Sequence, residues 1–364
     1  MRYQSLLVFA LLPFVQVIFA LDTDVSYLVV LSALLLLWQK RNALLYWQLE
    51  FVAVSMLFSI VLLFSLPVTK AIGPFILALL YVCYRSYILD SKLIFFAAIV
   101  YGSMGILYIV NGQLAYSLQS HLVGNIKWAT DAQRAFPVLG TESGLMAGVF
   151  VMLAELSIAI EKVKIVRNIL VLTFLLLAFQ TKSGSLLVFL LIFIVNRSLS
   201  LRQVIWASLA LSLFIFVNIE FIAESRVLSL IQNFSESENI LFFDTSLAYR
   251  VSALMGSIEV MYSNLFYFLG DKNEEMQFTY RNKYYILNPN MDTSFHDVSS
   301  LGLLLRTGGI FTLLWLVYII KLVGISRKTL YLLCTMAFSY SIFFPLSLMI
   351  VAQKKLGHVR NNRK

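Results

Sequence analysis

Long apolar runs separated by short polar turns repeat along this chain. They occupy residues 5–21, 25–38, 50–66, 74–89, 93–110, 143–160, 166–179, 185–196, 203–222, 303–322 and 329–351. None alternates polar and apolar positions as the strands of an outer-membrane barrel do. Most approach the ~20 residues that an α-helix needs to cross ~30 Å of hydrocarbon. The pattern predicts an all-α fold: a polytopic helical membrane protein of about 11 (10–12) transmembrane helices, with 1–364 forming one integral-membrane domain. The run at 5–21 follows Arg2 as in a signal peptide, but many further runs come after it, so it reads as an uncleaved first span.

Two polar segments interrupt the pattern, at 111–142 and 224–300. Both are predicted to be outward loops, the second large and partly helical. Within it Leu247, Val251, Leu254, Ile258, Met261 and Leu265 share one helical face, which suggests an amphipathic helix. Pro345 interrupts the last run. Either it divides that run into two short helices, returning the basic tail 353–364 to the side of the other basic turns, or the tail lies opposite them.

Composition supports the membrane reading. Hydrophobic residues make up 60% and charged residues 13%, against roughly half and a quarter in soluble domains. The net charge of +9 is not a nucleic-acid signal, because the bases sit in short turns. Arg2, Lys40, Arg41, Arg85, Lys92, Lys162, Lys164, Arg167, Arg197, Arg202, Lys321, Arg327 and Lys328 fall on one side of the predicted topology. The positive-inside rule makes that side cytoplasmic, the N-terminus included. The 111–142 segment, the 180–184 turn and the 224–300 segment then face outward together. Cys83 and Cys334 lie in apolar runs and imply no disulfide framework.

Candidate chemistry gathers on the outward side. Arg134 and Glu142 bracket a Pro-Gly turn; the guanidinium fork suits diphosphate, carboxylate or sugar oxygens, or else snorkels to the interface. Lys182 lies outward, against the charge rule, where it either holds a phosphate or serves no ligand. Arg250 sits beside the apolar stripe of the amphipathic stretch. His296 lies between Asp292 and Asp297, immediately before an apolar run. Imidazole titrates near neutrality and makes a good general base, although a structural role fits the same residue. A metal needs three or four ligands, and His121 is the other outward histidine, so no metal site is expected. Glu155 lies within an apolar run, where a carboxylate either functions or reaches water at the nearby end. Gly140, Gly144 and Gly148 recur every four residues, as they do where a second helix approaches closely. There is no GxSxG, P-loop or dinucleotide fingerprint.

Four stretches, taken in order, resemble the O-antigen polymerase (Wzy) family, within the O-antigen polymerase/ligase superfamily. Arg134-Ala-Phe-Pro-Val-Leu-Gly-Thr-Glu142 is similar to its Arg-plus-Glu outer loop, and Thr181-Lys-Ser-Gly-Ser185 to its small polar turn. Tyr249-Arg250 through Gly270 looks like its Arg-led helix, and Ser294-Phe-His296-Asp297 like its His-Asn element. Asp297 stands where that family has Asn, and Thr141-Glu142-Ser143 stands for a Glu-Pro pair.

The resemblance implies polymerisation of undecaprenyl-diphosphate-linked oligosaccharide repeat units into O-antigen or a similar surface polysaccharide. The site would be the periplasmic face of the bacterial inner membrane. It implies Arg134, Arg250 and Lys182 on the diphosphate, His296 as base and Glu142 as second candidate. It also implies neither metal nor cofactor, because the donor arrives activated. A chain-length regulator and a repeat-unit flippase are partners implied by the family only. The alternatives are a ligase passing polymer to lipid A–core, and a membrane transporter or flippase.

Overall fold

The computed structural model describes residues 4–12, 27–40, 45–123, 138–140, 143–183, 185–196, 300–324, 326–338 and 345–353, with the isolated residues 254, 257, 258, 261 and 262. A 3-10 turn at Gln4–Leu7 leads into α1 (Val8–Leu11). Then follow α2 (Tyr27–Gln39), α3 (Tyr46–Leu62), α4 (Val68–Ala71) and α5 (Gly73–Ser86). Next come α6 (Ser91–Val110), α7 (Gly112–Val123), α8 (Ser143–Ile160), α9 (Lys164–Gln180) and α10 (Ser185–Asn196). The last described helices are α11 (Ser300–Val323), α12 (Thr329–Phe338) and α13 (Pro345–Ala352).

The all-α class holds, but about eleven transmembrane helices is overturned. Among the described residues only α6 and α11 are long and apolar enough to cross a membrane, judged by length and composition. Tyr46–Leu62, Gly73–Ser86 and Ser185–Asn196 are apolar but have 17, 14 and 12 residues. At ~1.5 Å per residue these reach at most ~26 Å, short of ~30 Å of hydrocarbon. Two of the apolar runs overstate helix length because they continue past the helix. The run at 74–89 stops being helical at Ser86, where Tyr87 turns to extended backbone. The run at 329–351 holds two helices, the second opened by Pro345, whose missing N–H costs nothing in a first helical turn. The runs at 13–21 and 203–222 lie outside the described residues. Even α11 is not continuous. Gly309 adopts φ 48°, ψ −129° inside it, and Thr312 Oγ1 donates across the resulting kink to the Leu304 carbonyl.

The 111–142 segment is partly helical rather than all loop. Asn111 caps α7: its side-chain oxygen accepts the Leu114 N–H at 3.1 Å, and its carbonyl accepts from Ala115.

At the centre stands α8. Met146, Ala147, Val149 through Ala154 and Leu156 are fully buried, as expected of a helix apolar on every side. It packs on α9, α10 and α13, while α5 packs on α2, α3 and α13. Close approach depends on glycine. A Cβ on Gly148 would lie 2.7 Å from the Phe189 ring of α10, so Gly148 marks a helix contact, while Gly140 lies in the turn before α8.

Polarity is distributed unlike that of a water-soluble bundle. Ser55, Ser59, Gln119, Gln180, Thr312 and Thr335 are buried. Meanwhile Leu57, Ile99, Ile109, Ile165, Leu172, Leu191 and Val317 point outward. Interhelical hydrogen bonds serve part of this interior: Trp315 Nε1 donates to Ser55 Oγ at 3.0 Å, and the Phe75 N–H to Ser59 Oγ at 3.1 Å. Such bonds are worth roughly 0.6 kcal/mol each between membrane helices. Cys83 and Cys334 are free thiols, Cys83 buried and Cys334 partly so.

Candidate functional site

Hydrogen bonds sort the helix ends. The C-terminal halves of α6 and α9 meet where Gln180 Nε2 donates to the Gly105 carbonyl at 3.0 Å. The starts of α8 and α10 meet where Ser185 Oγ donates to the Gly144 carbonyl at 2.7 Å. Buried Gln119 of α7 grips the turn before α8 with both amide atoms. The Leu139 N–H donates to Oε1 at 3.1 Å, and Nε2 donates to the Gly140 carbonyl at 2.9 Å. Four stretches of described chain therefore converge at one end of the bundle: 105–123, 138–140 with the start of α8 at 143–144, 180–183, and 185 onward.

The backbone at this end is strained. Val138 (φ 41°), Leu139 (φ 63°) and Lys182 (φ 47°) are the non-glycine residues with positive φ among the described residues. For a β-branched residue such as Val138 this conformation is a genuine outlier. Each such residue costs of order 1–3 kcal/mol, and strain of this kind clusters at functional sites. The α9–α10 turn is held by its small polar residues. Thr181 Oγ1 donates to the Ala178 carbonyl at 2.7 Å, the Lys182 N–H donates to Phe179, and Ser183 and Ser185 hydroxyls lie 2.9 Å apart. Lys182 is half-buried in that turn. On α7, Tyr116 packs edge-on against Tyr108 at 5.8 Å. Burial, and then Tyr108, pushes its phenol up to about 12.

Of the residues singled out from sequence, Lys182 is described and lies at this end. Arg134, Glu142, Arg250 and His296 lie outside the described residues. Glu142 is flanked in sequence by Gly140 and Gly144, the acceptors of the Gln119 and Ser185 bonds. Glu155 does not reach water. It is 7% exposed, and its Oε1 accepts from Asn196 Nδ2 of α10 at 2.8 Å. Among the described residues no three His, Cys, Asp or Glu side chains gather as a metal ligand set. Sequence reasoning missed Gln119, whose signal is faint: a lone amide four residues from Ala115 on the buried side of α7.

The opposite end is basic. Lys40, Arg85, Lys92, Lys162, Lys164, Arg167, Lys321, Arg327 and Lys328 lie at the helix ends and turns remote from the Gln180–Gly105 and Ser185–Gly144 bonds. Here Arg327 Nη1 donates to the Val195 carbonyl of α10 at 3.1 Å. No family model matches this chain, and neither a curated protein nor a solved structure is similar to it.

Proposed function

We propose that this chain is a membrane glycosyltransferase that joins undecaprenyl-diphosphate-linked oligosaccharide repeat units at the periplasmic face of the bacterial inner membrane. The carrying observation is the gathering of every non-glycine positive-φ residue described, and of the Gln119, Gln180 and Ser185 bonds, at the end opposite the basic one. Lys92 at the start of α6 and Lys321, Arg327 and Lys328 at and just past the end of α11 face the cytoplasm by the positive-inside rule, so the strained end, at the C-terminal half of α6, faces outward. The outward apolar side chains give the chain a lipid-facing surface, and a lipid-linked substrate can approach along it.

The chemistry follows from the substrate class. The acceptor sugar hydroxyl attacks the anomeric carbon of the donor chain. The bond to the diphosphate breaks, and undecaprenyl diphosphate leaves. Arg134, Arg250 and Lys182 stabilise the charge that develops on the leaving group. His296 takes the hydroxyl proton, with Glu142 as the second candidate. No nucleotide is needed, since the donor carries its own activated bond.

The test is a gel of surface polysaccharide from a strain lacking the chain. Collapse of the ladder to a single-repeat band, restored by the wild-type chain, supports polymerisation. Full-length polymer that stays on its lipid carrier and never reaches lipid A–core points to a ligase instead. An unchanged ladder rejects both.

A further inference from the structure

Three helix ends meet at one corner of the basic end: the C-termini of α2 and α5 and the N-terminus of α3. Ser86 is the hub. Lys40 Nζ donates to its carbonyl, and Gln48 Nε2 of α3 donates to its hydroxyl at 3.3 Å. The Lys40 ammonium lies 4.2 Å from the centre of the Tyr87 ring. Next to Ser86, the Arg85 guanidinium stacks 4.9 Å from the Trp47 ring and donates through Nη1 to Tyr81 Oη at 2.8 Å. Tyr87 is fixed in turn, its hydroxyl donating to the Leu36 carbonyl at 2.8 Å.

This arrangement holds two cations in place without neutralising them. Among the described residues neither Lys40 nor Arg85 pairs with a carboxylate. Arginine carries five N–H donors and lysine three, and each spends one here. Aromatic faces, the Ser86 carbonyl and the Tyr81 hydroxyl set the positions of both groups, and among the described residues their other donors make no hydrogen bond. Around the corner stand apolar and aromatic side chains turned outward: Trp38 is 70% and Tyr46 83% exposed, with Leu45 and Ile88 also exposed. Aromatic residues of this kind sit at headgroup level in membrane proteins.

We propose that the Lys40–Arg85 corner binds the phosphate of an anionic phospholipid headgroup, with the Trp38–Tyr46 surface against its acyl chains. The planar guanidinium presents paired donors to phosphate oxygens, and the ammonium adds a point charge. A free phosphate offers the same oxygens but no chains for the exposed apolar rim. The site rests on the membrane placement proposed above and is independent of the polymer chemistry, because it lies at the opposite end of the bundle.

The experiment is native mass spectrometry of the full chain in detergent, titrated with phosphatidylglycerol or phosphatidylcholine. The wild-type chain is expected to retain phosphatidylglycerol with about tenfold preference, because the choline ammonium of phosphatidylcholine offsets its phosphate charge beside the two cations. The double variant Lys40→Gln/Arg85→Gln should lose that preference. Lys92→Gln, which removes a charge from the same end, should keep it. A second measurement does not depend on the double variant folding. Phosphatidylglycerol brominated in its acyl chains should quench the tryptophan fluorescence of the wild-type chain more than that of Trp47→Phe, and brominated phosphatidylcholine should not distinguish them. Equal retention of the two lipids overturns the proposal, as does undiminished preference in a folded double variant or equal loss in Lys92→Gln. Displacement of the lipid by millimolar inorganic phosphate would replace the lipid with a free phosphate as ligand. Failure of the polysaccharide ladder assay with lipid retention intact would reject the polymerase reading and leave this site standing.

Discussion

Gln119 is the residue on which the strained end turns. Fully buried, it satisfies one N–H and one carbonyl of a turn that contains two left-handed, non-glycine residues. Gln119→Leu keeps the volume but leaves the Leu139 N–H and the Gly140 carbonyl without that partner. An unpaired buried polar group costs roughly 1–3 kcal/mol, so thermal unfolding in detergent should show a clear loss of stability. An unchanged melting temperature would deny that this amide holds the turn. Tyr116 gives a pH-dependent counterpart. Its phenol is pushed up to about 12 in the fold from an ordinary value of 10.0. Unfolded, it deprotonates near the lower value, so stability is full below that point and falls as pH rises between the two. Tyr116→Phe should flatten this part of the pH profile, and an identical slope in the variant would contradict the burial. At this scale the sequence was only partly legible. Lys182 stands out because a base in an outward turn breaks the charge rule. Gln119 does not, because a polar residue in a polar segment gives no hint that it is buried.

Helix contacts are set at the next scale by small residues and by breaks. Gly148 lets α8 and α10 touch. A methyl group there would sit 2.7 Å from two atoms of the Phe189 ring, which is too rigid to yield. Gly148→Ala should therefore destabilise the bundle by about 1–3 kcal/mol through overpacking. Denaturation in detergent checks this, and a neutral result would mean that α10 can move away freely. Gly140 of the four-residue spacing precedes the helix, but the contact at Gly148 was readable from sequence as a small residue within an apolar run. Helix lengths were not. An apolar turn and an apolar helix look alike in a hydropathy pattern, so the 14 residues of α5 read as a longer span. Nor did the pattern reveal α7, whose Asn111 cap opens a helix inside a segment read as loop. Pro345 was informative, since its ring excludes it from a helix interior and α13 starts there.

For the whole molecule, charge divides two ends with different tasks. The basic end carries stacked cations; the other carries strained turns and buried amides. The basic turns were legible as charges between apolar runs; that they share one end follows from the alternating directions of the described helices. The proposed chemistry adds requirements at the strained end. If Arg134 and Arg250 grip a diphosphate, Arg134→Lys and Arg250→Lys should each remain impaired in building surface polymer, because lysine keeps the charge and loses the planar fork. Full activity of both variants would remove the case for bidentate contact.

Repeat-unit joining is measured by incubating the purified full chain in detergent with undecaprenyl-diphosphate-linked repeat units, then resolving the saccharides by length. Wild-type chain should yield a ladder of multiples together with released undecaprenyl diphosphate. His296→Ala, folded to the same melting temperature, should leave single repeats. A folded wild-type chain that never extends a repeat would contradict the polymerase reading, and a full ladder from His296→Ala would remove the histidine from the mechanism.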